Sequence, residues 1–167
     1  SCERGTVDDF ALLANGRILC TAMIENRPEE IYILENGKMK LISAFNREVK
    51  EIYKTSVPET LLFKSELTEM DGYVIKPVDF DENKKYPGIL YIHGGHKCAF
   101  GPIYYHEMQV FANRGFFVLY CNPRGSDGRD DDFADVIGHY GFYEEEDLLA
   151  FCDACLKEYP QIDAERL

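Results

Sequence analysis

The stretch Lys84-Lys85-Tyr86-Pro87-Gly88-Ile89-Leu90-Tyr91-Ile92-His93-Gly94-Gly95-His96 sets a short apolar run directly before a glycine pair. A second stretch, Phe116-Phe117-Val118-Leu119-Tyr120-Cys121-Asn122-Pro123-Arg124-Gly125-Ser126, does the same. Neither apolar run alternates with polar residues, as expected of strands covered on both faces. Between them, Tyr105, Met108, Phe111 and Ala112 fall at helical spacing within Pro102 to Asn113, and Gly115 is a fitting terminator. Beyond a long loop, residues 143–157 read as a helix with Leu148, Leu149, Cys152, Cys155 and Leu156 on one face. The acidic start of that helix suits its dipole. Shorter strand-like runs at Thr60 to Lys64 and Gly72 to Lys76 precede a polar loop from Pro77 to Tyr86. Strands alternating with helices predict a parallel α/β sheet from about residue 59 onward.

Upstream the pattern is different. Phe10 to Ala14 and Arg17 to Ile24 flank Asn15-Gly16, while Ile31 to Leu34 and Lys38 to Ile42 flank Asn36-Gly37. Asn-Gly between apolar runs signals a tight hairpin, because both residues tolerate positive φ. Two successive hairpins predict a four-stranded antiparallel meander, the content of one β-propeller blade. A lone sheet of that size has little to pack against, which predicts neighbouring blades outside this stretch. Phe45 to Pro58 reads as a polar connector. The expected division is therefore 1–58, propeller-like, and 59–167, α/β.

Composition excludes several classes. The formal charge of −12 opposes a nucleic-acid groove, which needs clustered Lys and Arg to replace counterions. No apolar run approaches the roughly 20 residues that span a bilayer, so no membrane partner is expected. Asp130-Asp131-Asp132 and Glu144-Glu145-Glu146-Asp147 read as solvated acidic runs. Six scattered cysteines do not form a disulfide framework, which makes the cytoplasm the expected location. Ser1-Cys2-Glu3-Arg4 carries neither an initiator Met nor a signal-peptide pattern and reads as a cut within something longer.

The residues from Lys84 to Gly95 and from Asn113 to Gly128 resemble the prolyl oligopeptidase family of serine peptidases, particularly its acylaminoacyl-peptidase and dipeptidyl-peptidase-like branch. Pro28-Glu29-Glu30-Ile31-Tyr32 is similar to the last propeller blade of that family, and Gly72-Tyr73-Val74-Ile75-Lys76-Pro77 extends the likeness. The resemblance implies the N-terminal part of an α/β-hydrolase domain preceded by the end of a propeller. It further implies hydrolysis of short peptides through an acyl-enzyme, with a peptide as substrate partner and no cofactor. Three departures stand out. His96 occupies a position where the family commonly has Pro, Gly72-Tyr73 replaces Gly-Trp, and Ser65-Glu66-Leu67-Thr68 is a shortened turn.

Acyl transfer needs a nucleophile, an oriented base and donors for the tetrahedral oxyanion. Only the donors are expected here. By the resemblance, the His-Gly-Gly loop forms part of the oxyanion hole: Gly95 supplies a backbone N–H, and Gly94 and His96 shape the loop. Arg124 is a candidate substrate-binding residue, with anchoring of its own loop through a carboxylate as the plainer role. Ser126 lies in Arg124-Gly125-Ser126-Asp127-Gly128, so it lacks the Gly-x-Ser-x-Gly pattern of a nucleophile elbow. The missing nucleophile, acid and base are expected after Leu167, leaving these residues inert alone. An esterase or lipase of the same fold, or a non-catalytic interaction module, are the alternatives. His93, His96, Cys98 and His106 lack the paired spacing of a zinc site, so no metal is expected. Cys152-Asp153-Ala154-Cys155 sits in a helical pattern and reads as core. Ending before the next strand leaves the Ile89 to Ile92 strand on an apolar edge, which predicts self-association by edge pairing or segment exchange.

Overall fold

The computed structural model describes residues 5–66, 68–95 and 97–167; Ser1–Arg4, Leu67 and His96 lie outside the described residues. Two four-stranded sheets share no strand. The first is an antiparallel meander of β1 (Gly5–Leu12), β2 (Ile18–Ile24), β3 (Glu30–Glu35) and β4 (Lys38–Leu41). Its second hairpin is the tight one: Glu35 pairs with Lys38, and Asn36 and Gly37 both have positive φ (49° and 73°). At the first hairpin only Gly16 is left-handed, and the Leu13 N–H donates to the Arg17 carbonyl, so the loop is wider than Asn15-Gly16 predicts. Cys20, Ala22 and Tyr32 form a small buried cluster with Ile24 and Met39 against it. Phe10 and Leu12 remain largely exposed.

The connector is less featureless than its composition implies. It contains α1 (Arg47–Ile52), and what fixes that helix lies in the first sheet. The buried Glu30 carboxylate accepts hydrogen bonds from the Ser43 hydroxyl, the backbone N–H groups of Phe45 and Asn46, and the Asn46 side chain. Farther on, the Ser56 backbone is clasped from two sides. Its N–H donates to Gln109 Oε1 at 2.9 Å, and its carbonyl accepts from Gln109 Nε2 at 2.8 Å and from Asn26 Nδ2 at 3.2 Å. The backbone of one residue thus ties the meander to the α/β half.

The second sheet contains β5 (Glu59–Ser65), β6 (Thr68–Ile75), β7 (Gly88–Leu90) and β8 (Phe117–Cys121) in the order β5-β6-β8-β7. The expected parallel pairing is found only between β7 and β8; β5/β6 and β6/β8 are antiparallel. A short turn joins β5 to β6 and a hairpin return is necessarily antiparallel, whereas the helical crossover between β7 and β8 makes that pair parallel. Helix α2 (His106–Asn113) covers one face, and α4 (Tyr143–Glu158) covers the other. Between β8 and α4 lies a single turn, α3 (Asp131–Ala134). Helix α2 ends as a Schellman motif: the Phe116 N–H bonds to the Phe111 carbonyl, the Gly115 N–H to Ala112, and Gly115 takes φ +87°. Phe111 and Phe116 meet edge to face across the cap.

The buried stripe of α4 is Asp147, Phe151 and Cys155; of the expected face, Cys155 is in the core and Leu148 and Leu156 pack against it, while Leu149 is exposed and Cys152 half-buried. Gly72 explains the place of Phe151. A Cβ there would sit 2.2 Å from the Phe151 ring, so the glycine opens a slot into β6 that the phenylalanine fills. Strand β7 has one strand neighbour among the described residues, which leaves it at the sheet edge. Among those residues no helix is long and apolar enough to cross a membrane.

Burial alone would push the Glu30 pKa up, but the hydrogen bonds from Ser43, Asn46 and the Phe45 amide outweigh it and hold the group below its usual 4.5. A carboxyl depressed by folding stabilises the fold above its unfolded pKa and loses that contribution as pH falls through the folded value. We expect Glu30→Ala to cost about 3 kcal/mol at pH 7, the scale of charge-assisted hydrogen bonds lost together. The difference from wild type should shrink on acidification below about pH 4.5. Urea melts at pH 7 and pH 3.5 check both.

Candidate active-site cleft

The carboxyl ends of β7 and β8 open onto a cleft of about 330 Å³ lined by Ile92, His93, Gly95, Arg124, Ser126 and Glu144, among others. Open α/β sheets bind ligands at this end of their strands. Gly95 has φ +70°, a backbone state that costs a residue with a Cβ roughly 1–2 kcal/mol. Gly94 differs, since a Cβ there would meet nothing within 4 Å. Glycine at 95 is therefore demanded by the backbone, while at 94 it leaves the space beside the turn open. His96 lies outside the described residues.

The turn is laced to the loop after β8. The Lys97 N–H donates to the Gly125 carbonyl at 2.9 Å, and the Asp127 N–H to the Cys98 carbonyl at 3.0 Å. Asn122 clamps Phe100, its Oδ1 accepting from the Phe100 N–H at 2.7 Å and its Nδ2 donating to the Phe100 carbonyl at 2.9 Å. Phe100 in turn meets the His93 ring edge to face at 5.0 Å between centroids. Ser126 is buried, and its Oγ lies 3.0 Å from His93 Nε2. Burial pushes the His93 pKa down, with the Gly94 backbone opposing, so the ring is neutral near pH 7.

The loop from Pro123 to Asp127 has its own anchor. Arg124 Nη2 lies 2.7 Å from Asp147 Oδ1, its Nε is 3.0 Å from Oδ2, and its backbone N–H donates to Oδ2 at 2.8 Å. Glu146 accepts a further bond from Nη2 at 3.1 Å, and Tyr143 stacks beneath the guanidinium at 4.5 Å. The Asp147 carboxylate is completely buried, and the Ser65 hydroxyl donates to it at 2.5 Å. These bonds raise the Arg124 pKa and keep it protonated, the hydrogen bond to Asp147 being the largest influence. Arg124 lines the cleft, but two of its side-chain nitrogens are spoken for by α4.

Asp147 corrects the sequence reading of the 144–147 run as a solvated face. Helical periodicity applied to acidic as well as apolar positions would have found it, since Asp147, Phe151 and Cys155 are spaced by four. Ser126 is the other residue that pattern-matching missed: it is no nucleophile elbow, yet it touches the histidine of the glycine turn. No group of three or more His, Cys, Asp or Glu able to hold a metal occurs among the described residues, and Cys98, Cys121, Cys152 and Cys155 are free.

The model of the prolyl oligopeptidase family matches residues 102–167, from just before α2 to the last residue. Over those residues the chain belongs to the prolyl oligopeptidase family. Over 99% of its length it is 32% identical to the uncharacterized peptidase YuxL of Bacillus subtilis, of which it covers 26%. The acylaminoacyl peptidase of Pyrococcus horikoshii superposes with a TM-score of 0.90 and 32% identity over 99% of this chain and 26% of that one. An acylaminoacyl peptidase solved in complex with Z-Gly-Gly-Phe-chloromethyl ketone gives a TM-score of 0.90 and 32% identity over 97% of this chain and 26% of its own. The chain thus spans about a quarter of the length of these relatives.

Asp147→Asn retains shape but leaves Arg124 without its buried counter-charge. We expect a loss of about 3–5 kcal/mol, as for other broken buried ion pairs, measured by urea denaturation at pH 7. Faster amide exchange at Lys97 and Asp127 should accompany it, because both N–H groups bond between the glycine turn's segment and that loop, Lys97 to the Gly125 carbonyl and Asp127 to the Cys98 carbonyl.

Proposed function

We propose that these residues form the oxyanion side of a serine peptidase active site, in a protein that hydrolyses short peptides through an acyl-enzyme. The observation that carries this reading is the left-handed Gly95 at the carboxyl end of the parallel strand β7, bordering the cleft. An N–H fixed in such a turn is poised to stabilise negative charge on a tetrahedral carbonyl oxygen. Gly95 is the donor; Gly94 leaves room for the acyl group, and His96 completes the loop. Arg124 borders the substrate space while holding its loop to α4. Residues 1–58 are the end of a propeller and 59–167 the start of a hydrolase domain. Exposed Phe10 and Leu12 support the first assignment, since blades cover such residues with neighbours. The free thiols of Cys98, Cys121, Cys152 and Cys155 fit a cytoplasmic setting.

A peptide is the proposed substrate partner, in keeping with the peptidyl chloromethyl ketone bound by the similar acylaminoacyl peptidase. The nucleophile belongs to a Gly-x-Ser-x-Gly that these residues do not contain. Two measurements test the reading. Fluorophosphonate treatment of the 167-residue chain should label no serine above a denatured control, and specific labelling of Ser126 would sink the assignment of roles. The encoding frame, read onward from Leu167, should enter Gly-x-Ser-x-Gly within a few codons; a stop codon there would favour a non-catalytic module. In the first case, comparing peptide and simple ester substrates on the longer product separates a peptidase from an esterase.

The edge position of β7 supports a second proposal, that the 167-residue chain self-associates by strand pairing or exchange of the meander. Light scattering should report a mass that rises with concentration. A constant monomer mass from micromolar to millimolar protein would refute it.

A further inference from the structure

The joint between the meander and the α/β half holds a space that the function proposed above leaves unused. A cavity of about 800 Å³ lies where Glu25 and Asn26 of the β2–β3 turn meet Val57 to Thr60 at the entry to β5 and Pro102 beyond the glycine turn. One group in its wall lacks a partner. Asn26 is only 9% exposed, and its buried Oδ1 accepts no hydrogen bond, whereas its Nδ2 donates to the Ser56 carbonyl at 3.2 Å. Exchanging the two ends of the amide would set its oxygen against the Ser56 carbonyl, so the free position is an acceptor. Buried acceptors are as a rule satisfied by some donor. Asn26 is also fixed in place: the Arg27 N–H closes its turn on the Ile24 carbonyl at 3.2 Å, and Gln109 holds the Ser56 backbone that it bonds.

The rest of the lining has the same polarity. Glu25 and Glu59 bring carboxylates, and among the described residues no Lys, Arg or His lines the cavity. Their cationic neighbours, Arg27 at 3.6 Å from Glu25 and Lys76 at 2.8 Å from Glu59, stand outside the lining. Val57, Pro58 and Pro102 add apolar surface. Acceptors and negative charge beside apolar surface match a ligand with N–H donors and positive charge on a hydrocarbon stem. A single water, whose share of the liquid is about 30 Å³, satisfies one acceptor without filling such a space. We infer that this cavity binds an organic cation of the guanidinium or primary-ammonium class, its N–H groups donating to Asn26 Oδ1 and to the carboxylates of Glu25 and Glu59. A basic residue of a peptide and a free small cation carry the same chemistry. Either one, bound there, bridges the meander to the connector and the α/β half. No residue lines both this cavity and the cleft at Gly95.

The test is an amide proton–nitrogen titration of the 15N-labelled 167-residue chain at pH 7.5. N-acetyl-L-argininamide and methylguanidine carry both charge and N–H donors. N-acetyl-L-citrullinamide keeps the donors without the charge, and tetramethylammonium keeps the charge without the donors. We expect the two guanidinium probes to shift the amides of Glu25, Asn26, Val57, Glu59 and Thr60 saturably, and the other two to leave them in place. Tighter binding of N-acetyl-L-argininamide assigns the cavity to a peptide residue and equal binding to a free cation; both uphold the site. Asn26→Ala should weaken N-acetyl-L-argininamide about tenfold, as for a lost hydrogen bond to a charged group. Glu25→Gln, at an exposed carboxylate, should weaken it about threefold and serves if the first variant does not fold. Absence of a saturable shift with both guanidinium probes overturns the inference. Equal binding of N-acetyl-L-citrullinamide or of tetramethylammonium also overturns it, the first against the charge and the second against the donors. Unchanged affinity in folded Asn26→Ala, or in Glu25→Gln where that variant decides, does the same. Failure of the peptidase reading would appear in the labelling and reading-frame results and would leave these shifts unaltered.

Discussion

Asp147 reaches the interior of this fold as a full negative charge, and the parts of the cleft are arranged by what neutralises it. Its two oxygens accept from the Arg124 side chain, the Arg124 backbone N–H and the Ser65 hydroxyl. One carboxylate thereby joins three pieces of chain that are far apart in sequence: the end of β5, the loop after β8 and the second turn of α4. Such a pair is not a large source of stability, because desolvating both charges consumes most of their attraction. What it supplies is geometric uniqueness. An apolar contact would tolerate a sliding helix, whereas a buried carboxylate with several directed donors does not.

From that anchor the order propagates outward. Arg124 fixes the loop of residues 123–127, and the Gly125 carbonyl and Asp127 N–H of that loop bond to Lys97 and Cys98. Gly125 allows the approach: its φ is +93°, and a Cβ would lie 2.9 Å from Val136. The glycine turn after β7 is therefore held by a loop that is itself held by a helix. A donor aimed at a developing charge gains most when it need not reorganise during the reaction, and this relay is a physical means to that rigidity. The Glu30 and Ser56 clusters play a comparable part at the other end, docking the connector by satisfied hydrogen bonds instead of apolar area.

Much of this was legible in the residues. Asn36-Gly37 names its hairpin because both positions must be left-handed, and Gly115 names the end of α2 because the Schellman cap needs φ above zero. The run at 117–121 is apolar on both faces because helices cover both sides of the sheet, whereas only Gly88–Leu90 of the 88–92 run forms a strand and Ile92 is exposed. Other features were hidden from a one-dimensional reading. Helix α1 is too short and polar to announce itself, and forms where Glu30 gathers the amides at its start. On α4 Leu149 looks more buriable than Asp147, and only Gly72 on β6 and Arg124 in the loop after β8 reverse that preference.

The sequence by itself determined the alternation of elements, the left-handed glycine after β7 and the family, since each depends on local backbone permission or on a contiguous string of residue types. Tertiary structure alone decided that β6 runs against β8, that the acidic residue at 147 is interior, and that Ser126 reaches His93. Those outcomes depend on groups more than twenty residues apart meeting in a space from which water is excluded. There, a charge or a hydroxyl acquires the partner that its neighbours along the chain do not provide.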